Sequence, residues 1–184
     1  GRRVKLVPLT TMKSLKCWSL TPWIGMAAVV LLFASPLARA EEMPASLNQA
    51  EPEWKLTDLN GHEVGSAGLK GKVVVLDFWA TWCVPCIGEI PGYIELQKKY
   101  GPQGLVIVGV SVDNKKPDYV KKFVQAKGMN YTVAMADDSI VDAFGGFESI
   151  PTTFLINREG RIVNRKVGAL PTDEYEKLVV QALH

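Results

Sequence analysis

"KVVVLDFWATWCVPCIGEIP" occupies residues 72–91. Its first half, 72–80, is a nearly unbroken β-branched and aromatic run, which predicts a strand buried on both faces. Residues 84–100 follow with Ile87, Ile90 and Ile94 near helical spacing, which predicts a helix. Cys83 and Cys86 therefore fall where a strand gives way to a helix N-terminus. Unpaired backbone N–H groups and the positive end of the helix dipole converge there, and both favour a thiolate. Pro85 suits the first helical turn, where its missing N–H costs nothing. Two intervening residues set both sulfurs on one turn, close enough to bridge. Cys83 is expected as the exposed nucleophile and Cys86 as the buried resolving thiol.

Other uses of the pair fit less well. A structural disulfide here would close a tiny loop, and short loops gain little entropy. A zinc site needs about two more ligands. Past residue 40 the chain has no third cysteine and only His62 and His184. A covalent haem site wants a histidine directly after the second cysteine, and Ile87 stands there. A C-x-x-C beside alternating strands and helices is a redox signature.

The chain has 184 residues, 47% of them hydrophobic and 22% charged, an ordinary globular composition for about one domain. The formal charge of +2 joins two unlike parts. Residues 1–40 hold six basic residues and no acid, and the rest holds 15 basic against 19 acidic residues, a net −4. That mildly acidic remainder offers no basic patch for nucleic acid. From Met12, "MKSLKCWSLTPWIGMAAVVLLFASPLARA" has the three parts of a secretory signal: Lys13 and Lys16, an apolar Ile24–Ala34 stretch, and Ala38 and Ala40 around a cleavage site before Glu41. The expected domains are an upstream segment (1–11), a signal peptide (12–40), a linker (41–52) and one folded domain (53–184). Export to the periplasm or an equivalent compartment follows, with an uncleaved anchor over residues 22–37 as the alternative. Cys17 would leave with the signal. The Arg2-Arg3 pair stands too far from the apolar stretch for twin-arginine export.

Within the folded part, "WKLTDLNGHEV" alternates around Asn60-Gly61 and predicts a hairpin. "GLVIVGVSV" (104–112) predicts a second buried strand. "KPDYVKKFVQAKG" predicts a helix burying Val120, Phe123 and Val124 and stopped by Gly128. "MNYTVAMA" predicts a strand and "DDSIVDAFGG" a short helix. "TTFLIN-REG-RIVNRKVG" predicts a hairpin, added as an antiparallel edge. "PTDEYEKLVVQAL" predicts a last helix with Thr172 as N-cap and Tyr175, Leu178, Val179 and Ala182 inward. Strands alternating with helices make an α/β layer fold. Asp77 is a lone carboxylate in an apolar strand, and burial raises the pKa of such a group.

Four stretches together resemble the thioredoxin superfamily, and within it the exported TlpA/ResA-like thiol–disulfide oxidoreductases. They are "VVLDFWATWCVPC", "EIP" at 89–91, "SIPTTFLINREGRI" and "KVGAL". The resemblance spans about residues 53–183. It implies a thioredoxin fold: a central mixed sheet flanked by helices, with an N-terminal hairpin and an extra strand–helix insert around residues 116–138. It implies that Pro151 is cis and faces the cysteines, that Ile150 offers its backbone to an extended substrate, and that Gly168 lets that substrate come close. Trp82, with Val84 and Pro85, would form an apolar rim. Pro91 would kink the first helix. Asp77 would relay protons to Cys86. Asparagine is common at that position in TlpA-like chains, so Asp77 is a departure toward thioredoxin. Glu89 matches the TlpA-type acid and could share the task.

The expected activity is dithiol–disulfide exchange with protein substrates, without metal or organic cofactor. Val84-Pro85 brings no cation to the motif, which favours a reductase over an oxidant that introduces disulfides. A reductase in an oxidising compartment needs a membrane thiol donor. By resemblance its targets would be apocytochrome c or copper-site assembly proteins. Two further readings are weaker. A thiol peroxidase would need a P-x-x-x-T-x-x-C pattern that Thr81-Trp82-Cys83 does not supply. A Cu(I) chaperone would want methionine or histidine clustered near the motif.

Overall fold

The structure, a computed structural model, describes residues 48–146 and 148–184. The upstream segment, the signal peptide or anchor and the first part of the linker lie outside the described residues. Strand β1 is Gln49–Ala50, and β2 (Lys55–Thr57) and β3 (Glu63–Gly65) form the hairpin. Then follow β4 (Val73–Trp79), helix α1 (Val84–Tyr100), β5 (Leu105–Ser111), α2 (Pro117–Lys127), β6 (Thr132–Met135) and α3 (Asp138–Ala143). The chain closes with β7 (Thr152–Ile156), β8 (Arg161–Val167) and α4 (Thr172–Leu183). Six strands form one mixed sheet in the order β1-β8-β7-β4-β5-β6, and the β2–β3 hairpin is a separate two-stranded sheet. β4 runs parallel to β5 and antiparallel to β7, and β5 runs parallel to β6. The fold is α/β, a mixed sheet flanked by helices, and residues 116–138 supply α2 and the edge strand β6.

Alternation along β4 sorts its side chains between two layers. Val74, Leu76 and Phe78 join Trp54, Leu56, Ile140, Phe144 and Phe154 on one face. Val73 and Val75 join Tyr93, Leu96, Tyr175 and Val179 from α1 and α4 on the other. Asp77 shares the parity of Val73 and Val75, so it faces α1 and α4. A third cluster under the disulfide gathers Trp79, Ala80, Cys83, Cys86, Ile90, Val120 and Val133.

Several details depart from the sequence expectations. The end of the stretch read as linker belongs to the fold: Gln49 and Ala50 pair with Ile162 and Arg161, and Glu51 N–H donates to Gly160 O at 2.9 Å. Those backbone bonds, not side-chain periodicity, order it. The closing hairpin is antiparallel as expected, but only its β8 reaches the edge, and β1 covers the start of it. β7 lies beside β4 in the sheet interior. Thr172 does not cap α4. Pro171 takes the N-cap position with no side-chain hydrogen bond, and Thr172 is the first helical residue. In α2 only Val120 is buried, with Phe123 and Val124 partly covered. In α1 the buried stripe runs through Cys86, Glu89, Ile90, Tyr93, Leu96 and Tyr100. Ile87 and Ile94 are only half-buried at its flank.

Helix α1 continues past Pro91 to Gly92, which is buried against α4. A Cβ added to Gly92 would overlap the Thr172 side chain. Glycine inside a helix is normally the weaker choice than alanine, so this overlap decides the sign of a substitution. Gly92→Ala is expected to destabilise the fold by roughly 1–3 kcal/mol, the usual cost of overpacking. Adding Thr172→Ala should recover part of the loss in urea unfolding. A Gly92→Ala protein as stable as the parent would show that α1 and α4 are not in close contact there.

Candidate active site

Cys83 is the N-cap of α1, with extended backbone (φ −83°, ψ 102°). The Cys86 N–H points at Cys83 Sγ across 3.3 Å, and Ile87 N–H donates to Cys83 O at 3.0 Å. Cys83 and Cys86 form a disulfide. The Cys83 sulfur thus lies on an N–H of the first helical turn, where negative charge is favoured. Pro85 is in that first turn and withdraws no needed donor.

The loop leading to Cys83 is fixed by a buried carboxylate. Asp113, just past β5, accepts from Thr81 N–H at 2.8 Å and from Thr81 Oγ1 at 2.7 Å. Ser111 Oγ donates to the same carboxylate at 2.8 Å. Asp113 replaces the sheet as hydrogen-bonding partner where β4 has ended. The sequence reading missed it, although an acid two residues beyond a buried strand was visible.

Exposure divides the predicted residues. Cys83 is 5% exposed and Cys86 3%, so in the disulfide form both are shielded and Cys83 is not the exposed member expected. The Ile150 carbonyl oxygen lies 3.7 Å from the Cys83 sulfur. The neighbouring Trp82 and Val84 are instead exposed, at 63% and 78%, and Pro85 is exposed too. The Ile150–Pro151 peptide is cis, and Gly168 N–H donates to Pro151 O at 2.8 Å. Gly168 has φ +82° and open space beside it. The left-handed backbone, not crowding, selects glycine. Val167, exposed at 59%, extends this apolar surface and was not anticipated. Hollows of about 450 to 500 Å³ lie between the β7–β8 turn and α4 and beside the β2–β3 hairpin, and no site residue lines either.

Behind the disulfide lies a buried polar row. Asp77 on β4 is opposite Thr153 on β7, which is opposite Lys166 on β8. Opposed residues share a face, so all three point toward α1 and α4. Thr153 Oγ1 donates to Asp77 Oδ1 at 2.9 Å, and the Tyr93 hydroxyl lies 3.3 Å from Thr153 Oγ1. Glu89, one turn beyond Cys86, comes down onto the row. Its Oε1 accepts from Lys166 Nζ at 2.5 Å and from Leu170 N–H at 3.1 Å. Glu89 is 8% exposed; it is no solvated helix face. Burial, then the nearby Glu89 charge, pushes the Asp77 carboxyl up to about 7, against the pull of Lys166 and Thr153. Burial followed by these carboxylates also raises the hydroxyls of Tyr93, Tyr131 and Tyr175. Lys166 and Thr153 escaped the sequence reading, which treated the hairpin as one unit. No local signal marked Lys166: the β-bulge beyond Ile162 turns it to the layer opposite that residue.

Among the described residues no three His, Cys, Asp or Glu side chains gather as a metal site requires. None of the described helices is long and apolar enough to cross a membrane.

A disulfide on a helix N-terminus, facing a cis-proline loop and backed by buried acids, defines a thiol–disulfide oxidoreductase of thioredoxin fold. The chain belongs to the Redoxin family, which it matches over residues 45–182. It is 39% identical over 120 residues to the thiol-disulfide oxidoreductase ResA of Bacillus subtilis, covering 65% of this chain and 66% of that one. The ResA of Bacillus thuringiensis is 33% identical, over 74% of this chain and 79% of its own length. A thiol:disulfide interchange protein of the thioredoxin family from Chlorobium tepidum superposes with a TM-score of 0.70 at 33% identity, over 74% of this chain and 97% of that one. These likenesses fit the TlpA/ResA resemblance and the Cys83–Cys86 chemistry.

The raised Asp77 gives a pH signature. Its folded pKa of about 7 exceeds the unfolded value of about 3.9. Between those values the folded state keeps a proton that the unfolded chain has lost, so stability falls as pH rises from about 4 to 7. Asp77→Asn should remove that slope and be more stable than the parent at pH 8, by roughly 2–4 kcal/mol. Parallel urea-stability profiles for the two proteins from pH 4 to 8 would contradict the assignment.

Proposed function

We propose that this oxidoreductase is an exported reductase of protein disulfides, released from its signal before Glu41. One observation carries the direction: nothing in the motif stabilises a dithiolate beyond the helix end. Val84 and Pro85 bring no cation, and two carboxylates are buried nearby in the fold, Glu89 one turn along α1 from Cys86 and Asp77 on β4. A strongly oxidising pair is one whose reduced form is stabilised, and this site lacks that device.

In the cycle, the Cys83 thiolate attacks a substrate disulfide, forming a mixed disulfide and releasing one substrate thiolate. The Cys86 thiol then gives its proton to the Asp77 carboxylate. Its sulfur attacks Cys83 Sγ, the intramolecular disulfide forms, and the second substrate thiolate leaves. Asp77 is the main proton acceptor, with Glu89 beside it. Trp82, Val84, Pro85, Ile150, Pro151 and Gly168 receive the substrate, which lies extended along the loop. A membrane thiol donor restores the dithiol. Apocytochrome c or copper-site assembly proteins are the substrates that the family resemblance supports.

The reduction potential, measured by equilibrating the protein with a defined redox buffer, tests the direction. A reductase should lie near or below about −250 mV, close to thioredoxin at about −270 mV. A value of about −120 to −150 mV would make the protein a donor of disulfides and overturn this reading.

A further inference from the structure

The "KVGAL" stretch (166–170) does more than present Gly168. Its two ends converge on one atom: Lys166 Nζ and the Leu170 N–H both bond Glu89 Oε1. Lys166 is itself buried, 9% exposed, and its ammonium lies 5.5 Å from the centre of the Tyr175 ring. Glu89 Oε2 is buried and makes no hydrogen bond. Asp77 bonds Thr153, not Lys166. The layer facing α1 and α4 thus holds two buried carboxyl groups and one ammonium, and that ammonium bonds only one of them. Charges this deep are expensive unless balanced. One cation balances one carboxylate, so the other carboxyl group, Asp77, is left without a charge partner.

We propose that Lys166 is a positioning residue for the redox site: by bonding Glu89 it holds the one buried ammonium of this layer on that carboxylate and leaves Asp77 without a cation partner. The inference deepens the relay described above and rests on it for the proton's use. The groups facing Asp77 come from every packed element. They are Glu89 and Tyr93 from α1, Thr153 from β7, Lys166 from β8, Tyr175 from α4 and Tyr131 just before β6. Of the charged members, Glu89 raises Asp77 and Lys166 lowers it. Removing either charge must therefore shift Asp77 in opposite directions, which a purely structural role does not require.

The test is a carboxyl-carbon NMR titration of the oxidised full-length protein, in which neither cysteine titrates. Lys166→Met should raise the Asp77 midpoint by about one pH unit or more, and Lys166→Arg should restore it. Glu89→Gln, which keeps the ammonium and removes its partner, should lower the midpoint. It also keeps the inference testable if Lys166→Met fails to fold. A midpoint that stays put, or moves the same way in both variants, overturns the proposal. The relay is scored separately by the rate at which the reduced protein exchanges with oxidised glutathione across pH. If Asp77→Asn leaves that profile unchanged while the midpoints shift as described, the relay fails and the positioning role of Lys166 stands.

Discussion

Everything at this site depends on what happens to backbone hydrogen bonding between Trp79 and Val84. β4 is paired on both sides along its length, and α1 begins five residues after it ends. The first turn of any helix leaves N–H groups without intrahelical partners. Here one of them, Cys86 N–H, is aimed at the sulfur of Cys83. The connecting residues need partners of their own, and Asp113 supplies them to Thr81. Cys83 is thereby held as the helix cap, where a sulfur anion is favoured and the flanking Trp82 and Val84 face outward.

The sheet supplies the second half of the chemistry. Asp77, Thr153 and Lys166 sit side by side across three strands because the β4–β7–β8 register makes them opposite. A one-residue slip in either pairing would turn one member toward the other layer. Glu89 reaches the row because it lies three residues after Cys86 on the buried stripe of α1. The disulfide and the acids are thus linked through one helix face. The cis-proline loop completes the link, since Thr153 follows it on β7 and the Ile150 carbonyl stands against Cys83.

Much of this was readable in the residues. Runs of β-branched residues located β4 and β5, Asn60-Gly61 located the hairpin, and Gly128 ended α2 in a left-handed conformation as a glycine stop should. The cysteine pair announced its place at the strand–helix switch. Most of the misses share a cause. They concerned residues whose place is decided by contacts across the fold, not by their neighbours in the chain. Glu89 and Lys166 look like surface charges in a local window, yet each is buried because the other neutralises it. Gln49–Ala50 looked like linker because two residues carry no period. Thr172 looked like a cap because sequence spacing cannot see that Gly92 leaves room for it inside the first turn. The shielding of Cys83 was hidden because the Ile150 carbonyl that lies against it comes from a distant loop.

The division of labour between the cysteines is the central claim, and selective alkylation of the reduced protein tests it most directly. With limiting iodoacetamide at neutral pH, mass mapping should find the label on Cys83 and Cys86 spared, since the Cys83 sulfur caps the helix between the exposed Trp82 and Val84. Equal labelling, or label on Cys86 first, would contradict the account.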